Sequence, residues 1–144
     1  MSKDGATIIS LVGAEEHILK SSNFIKNAKN FKHFRELGSD RKKQYMRLFP
    51  RRLERIQYML EVIRIYTSIN SLQNNIDKLN PIVVIIDDKL YPHIRHPRKI
   101  KESRVREKHR KALTIIADNL ANYFRMLLNN NPRKYNEELN RIKK

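Results

Sequence analysis

Four basic side chains, Lys43, Arg47, Arg51 and Arg55, recur at intervals of four residues. On an α-helix that spacing sets them in a ridge that drifts about 40° per step, because four residues overshoot one turn. Guanidinium groups fork onto phosphate oxygens, and ammonium groups meet phosphate as point charges. Arg52 flanks the ridge, Lys26 and Lys29 precede it, and Arg104, Lys108 and Lys111 form a second basic group. These ten residues are the candidate contacts to a polyanion. Tyr45, Tyr58, Tyr91 and Tyr135 lie near basic residues and offer faces for stacking on bases. A tyrosine at helical spacing is more often a core residue, so the core is the expected place for them.

A second constellation is Asp87, Asp88, His93 and His96, within ten residues. Carboxylates and imidazoles together suit a divalent metal. The aliphatic stretch 82–86 before Asp87-Asp88-Lys89 has the look of a metal-nuclease strand. Such a fold needs a multi-stranded sheet, which the sequence does not announce. The expectation is an acidic turn with two loop histidines and no metal. His17 and His33 read as solvent-facing, while His109 falls on an apolar stripe at the edge of the core. The chain has no cysteine, which excludes disulfides, thiolate zinc sites and thiol catalysis. No P-loop, GxGxxG, HExxH or GxSxG pattern occurs. No enzymatic activity and no cofactor are expected.

Charge is the strongest compositional signal: 31 Lys and Arg against 15 Asp and Glu, a formal net +16 over 144 residues. Such a chain attracts polyanions. Residues 21–60 carry eleven bases and three acids, and residues 98–114 carry eight bases and two acids. The other stretches are near neutral, apart from a modest basic excess after residue 132. The second block opens a long helical pattern, where cations oppose the helix dipole. That placement suits an anionic partner, or local pairing with Glu102 and Glu107.

These groups must be positioned by helices. Glycines are only three and prolines five, too few for a many-stranded fold. The patterning predicts a short helix over 6–20 and another over 24–37. Gly38 would follow the second at a position that favours positive φ, with Ser39 or Asp40 capping the next helix. Pro50 should kink or end that helix. Apolar residues then step by three and four from Leu53 to Leu79, predicting one long amphipathic helix over 51–78, stopped by Asn80-Pro81. Residues 82–86 read as a short strand or one helical turn. A strand has no evident partner, so helix or extended packing is favoured within an irregular loop over 81–100. A second long helix is predicted over 101–128, and a short helix over 133–143 in a basic tail, 132–144.

The basic clusters Arg41-Lys42-Lys43, Arg51-Arg52 and 104–111, in a short chain rich in Lys, Ile, Arg and Asn, resemble the helical-bundle proteins of archaeal viruses. The coat-protein family of filamentous and two-tailed viruses is the nearest style. That resemblance implies a four-helix bundle that wraps DNA. A relative that inhibits host RNA polymerase gives the runner-up, a regulatory protein acting on a nucleic-acid machine. The basic helical small subunits of CRISPR complexes are similar in the same way. The resemblance assigns no role to any single residue.

The sequence therefore predicts a single all-α domain over 1–144, a four- or five-helix bundle with two long amphipathic helices. Its expected role is non-enzymatic nucleic-acid binding through phosphates, with DNA placed ahead of RNA and no sequence readout. RNA polymerase or another large machine is the alternative partner, and a homo-oligomer is left open. No membrane partner is expected, since the longest aliphatic run is five residues. Residues 1–12 lack the pattern of a signal peptide, and a cytoplasmic location is expected.

Overall fold

The structure is a computed structural model and describes residues 7–142. It is predominantly helical, with six α-helices and two small sheets among the described residues. The sheets correct the all-α expectation.

The first correction falls at the N-terminus. Ile9–Gly13 is a strand, β1, followed by a single helical turn, α1, at Glu16–Leu19. The predicted helix over 6–20 therefore survives only in its last turn, and Ala6 lies outside the described residues. Ser22–Ala28 forms α2, whose first turn is capped by Ser21: its Oγ accepts from the Phe24 N–H at 3.2 Å. Beyond Ala28 the chain turns, with one 3-10 turn at Phe34–Glu36, so the helix predicted over 24–37 ends nine residues early. Gly38 does not follow an α-helix. It sits at the N-cap of the next, with φ −67°, so its freedom to adopt positive φ is not used.

That next helix, α3, spans Ser39–Gln57 with Pro50 inside it. The chain continues helically through the proline, leaving the Met46 carbonyl without its usual donor. Tyr45, Met46, Phe49, Leu53 and Ile56 make its buried stripe.

The long helix predicted over 51–78 is broken. Val62–Tyr66 is β2, antiparallel to β1 with Ile9 opposite Tyr66 and Gly13 opposite Val62. The segment Val-Ile-Arg-Ile-Tyr favours a pleated surface, and β1 supplies an equally apolar partner. Its apolar residues satisfy period two as well as a step of three to four, and pairing decided between them. The two faces of the ribbon serve different cores. Ile8, Val12, Ile63 and Ile65 join the main core, while Ile9, Leu11 and Tyr66 join a second one.

Helix α4, Ile69–Leu79, is capped by Ser68 and ends at Asn80 in the left-handed region, φ 46°. Val84–Ile86 is then a strand, β3, and its partner is Lys99–Lys101, β4, running parallel. The expected absence of a partner is corrected: the sequence between the two strands is long enough for the crossover that parallel pairing needs. Gln73 of α4 braces this crossover. It exchanges two hydrogen bonds with the Arg95 backbone, at 2.7 and 2.9 Å.

The last long helix, α5, spans Lys108–Asn130, starting seven residues later than predicted because 99–104 forms β4 and a 3-10 turn. Helix α6, Pro132–Ile142, matches the expected short C-terminal helix, with proline at its first position. The main core joins the α2–α3 connection, α3, α5 and α6 through a chain of aromatic contacts, three edge-on and one tilted. Phe31, Phe49, Tyr123, Phe124 and Tyr135 follow one another with ring centroids 5.1–6.1 Å apart.

Candidate functional site

Helix α3 buries one stripe and turns its charge outward. Lys43, Arg47, Arg51 and Arg55 are all exposed, and among the described residues none of them makes an ion pair. Only Asp40 and Glu54 bring negative charge to this helix, against seven bases. The geometry gives each basic step about 6 Å along the axis. Arg52 is different: it is half-buried, with its guanidinium 5.0 Å from the Tyr45 ring centroid, so part of its role is internal. Lys42 likewise lies 5.1 Å over the Phe34 ring. Lys26 and Lys29 are exposed on and just after α2, which packs against α3.

The second basic block is less free. Arg104, Lys108 and Lys111 are exposed. Their neighbours His109 and Arg110, however, both reach Glu16 of α1, Arg110 at 3.3 Å. The contact holds the Glu16 carboxyl below its ordinary range, chiefly through the His109 hydrogen bond. Compensation at the start of α5 thus comes from across the fold, and neither Glu102 nor Glu107 forms an ion pair there. Lys99 donates to the carbonyls of Tyr91 and Ile94, at 2.9 and 3.0 Å, and covers the Tyr91 ring at 4.1 Å. Lys101 approaches the same ring at 5.4 Å. With Arg104 these residues line a hollow of about 400 Å3.

The Asp87, Asp88, His93 and His96 group does not assemble. Asp87 accepts from its own Lys89 N–H at 2.7 Å, Asp88 from the Ser103 N–H at 3.2 Å, and His96 Nδ1 from the Arg98 N–H at 3.1 Å. The first and last are local turn bonds, and the second ties Asp88 to the 3-10 turn after β4. Among the described residues no three His, Asp or Glu side chains are grouped to hold a metal ion.

Packing does create one acidic feature that spacing did not reveal. Asp87 at the end of β3, Glu102 just after β4 and Asp118 on α5 line one cavity of about 450 Å3 between β1, α4, β3 and α5. Burial raises the proton affinity of Glu102, and the charges of Asp87 and Asp118 raise it further, while His33 and Arg35 oppose them. Asp118 carried one legible sign, as the lone carboxylate in the mostly apolar stretch 112–128. Its neighbour Asn119 is fully buried. Asn119 accepts from the Tyr45 hydroxyl and donates to the Lys32 carbonyl at 2.9 Å.

Two of the four tyrosines are in the core, where they were expected. Tyr45 and Tyr135 are core residues and Tyr91 is half-buried, but Tyr58 is 66% exposed. No helix among the described residues is long and apolar enough to cross a membrane. The chain matches no protein-family model, no curated protein and no solved structure.

Proposed function

We propose that this protein binds nucleic acid through its phosphates, along the outward face of α3, in a coat, packaging or architectural role in the cytoplasm. The observation that carries the reading is the row Lys43, Arg47, Arg51 and Arg55, exposed and without ion pairs on a rigid helix. Cations that have no internal partner are free to neutralise phosphates, and release of the counterions condensed on the nucleic acid then drives binding. Phosphate contacts carry no direct sequence information, so binding through this row is independent of sequence.

The test is a titration of labelled nucleic acid at several salt concentrations. Four phosphate contacts give a slope of log affinity on log salt of about −3.6 for duplex and about −2.8 for a single strand. Between about 50 and 200 mM salt, affinity for duplex then falls on the order of a hundredfold. Arg47→Ala and Arg51→Ala each flatten the slope by about one unit. A slope untouched by either substitution rejects the α3 face as the binding surface. Cleavage of the labelled strand on addition of Mg2+ rejects the non-enzymatic role.

A further inference from the structure

Tyr58 closes α3 at its C-cap, and among the described residues its ring is the only aromatic side chain that is mainly exposed. Its position relative to the basic row is specific. It lies seven residues after Arg51 and eleven after Arg47, which returns it to within about 20° of each on the helix surface. Arg47, Arg51 and Tyr58 therefore set out from one line along α3, with Lys43 and Arg55 to either side and the exposed carboxylate of Glu54 one turn before Tyr58.

The ring is also held in place. Asn23 of α2 donates from Nδ2 to the Tyr58 hydroxyl at 2.6 Å. Asn27, one turn further on, donates to both the backbone and side-chain oxygens of Asn23, at 2.9 and 3.2 Å. An exposed side chain ordinarily samples several rotamers, and this relay ties one end of the ring while leaving its faces open.

We propose that this line is a site for single-stranded nucleic acid, with Tyr58 as a platform on which one base stacks. Cations spaced about 6 Å apart along α3 match the reach of successive extended nucleotides, and a ring at the end of such a row meets an unpaired base. A duplex keeps its bases stacked on one another and offers Tyr58 nothing but backbone. Stacking tolerates any base, since each has a π-face, so the site is independent of sequence. The assignment rests on the phosphate-binding reading above and adds the strandedness of the ligand.

The experiment measures binding of the full chain to a labelled deoxythymidine oligonucleotide of about 12 nucleotides, an abasic strand of equal length, and a duplex. The wild-type protein is expected to prefer the base-bearing strand to the abasic one by about tenfold. Tyr58→Ala should lose that preference without changing affinity for the abasic strand, the duplex or the salt slope. Tyr58→Phe, which keeps the ring and loses the Asn23 tie, should retain most of the preference. Circular dichroism checks that both variants fold.

The stacking assignment is overturned if Tyr58→Ala binds the thymidine strand as the wild type does. It is equally overturned if Tyr58→Phe falls as far as Tyr58→Ala, which would make the residue a strut between α2 and α3. In either case weakened binding of Arg47→Ala to all three ligands leaves the phosphate reading standing. Binding to none of the three at low salt removes both.

Discussion

The fully buried amide of Asn119 ties three parts of the chain, and removing it offers a quantitative check on the fold. The Tyr45 hydroxyl of α3 donates to Asn119 Oδ1 and accepts from the Lys32 N–H at 2.8 Å, while Asn119 Nδ2 donates to the Lys32 carbonyl. The triangle pins the connection between α2 and α3 onto α5. Asn119→Leu keeps a similar volume and deletes two hydrogen bonds, each worth about 1 kcal/mol net. It also strands the Tyr45 hydroxyl proton in the core, adding about 1–2 kcal/mol. The sum is about 3–4 kcal/mol, a large part of the 5–15 kcal/mol that ordinary domains possess. For a chain of this size that corresponds to a melting temperature lowered by roughly 10 °C.

Tyr45→Phe breaks the same triangle from the other side, at about 2 kcal/mol. The double variant leaves no buried hydroxyl and loses the shared Tyr45–Asn119 bond only once, so its cost should fall short of the sum by about 2–3 kcal/mol. Urea unfolding of all four proteins, followed by far-ultraviolet circular dichroism with a common slope, gives the cycle. A loss below about 1 kcal/mol for Asn119→Leu, or strictly additive single variants, would refute the argument that the amide is an obligatory partner.

Two further outcomes follow from single residues. Glu102 has its proton affinity raised above the ordinary value of 4.5 by burial and by Asp87 and Asp118. The native state then binds more protons than the unfolded chain just above that pH, so stability falls as pH climbs through this window. Glu102→Gln should remove the fall, melting higher than the parent at neutral pH and converging with it in acid. A parent curve that rises there, or a variant that melts lower at neutral pH, contradicts the assigned environment. Asn80 ends α4 with φ 46°. Asn80→Ala should cost about 1 kcal/mol and Asn80→Gly little or nothing, so equal melting temperatures for the two would show that backbone strain does not govern this cap.

The parts legible in the sequence share a cause. The ridge on α3 could be read because four-residue spacing has one meaning on a helix, and α3 is a helix with its apolar stripe on the other side. Asn80-Pro81 and Pro132 were legible because backbone chemistry acts locally. Residues 62–66 were misread because Ile63 and Tyr66 fit a helical step while Ile63 and Ile65 fit period two, and only the distant strand 9–13 selects between them. The carboxylates of Glu102 and Asp118 were invisible as a pair for the same reason: the 3-10 turn after β4 and helix α5 meet at the cavity through tertiary packing. Nothing in a one-dimensional pattern says which face of α5 lies above the end of β3.

The two basic blocks look alike as counts of charge, and the fold separates them. A cation already held by a carboxylate, a carbonyl or a ring has less to gain from a phosphate, because binding there exchanges one partner for another. In the second block Arg110 is held by Glu16, Lys99 by two carbonyls and the Tyr91 ring, and Lys101 lies over that same ring. In the first block Arg52 and Lys42 sit over rings, but Lys43, Arg47, Arg51 and Arg55 stand clear. Counterion release depends on the phosphates neutralised, not on the total charge of the protein. A salt slope near four contacts therefore locates binding on α3, whereas a slope approaching twice that brings in the exposed Arg104, Lys108 and Lys111 and extends the path to the start of α5.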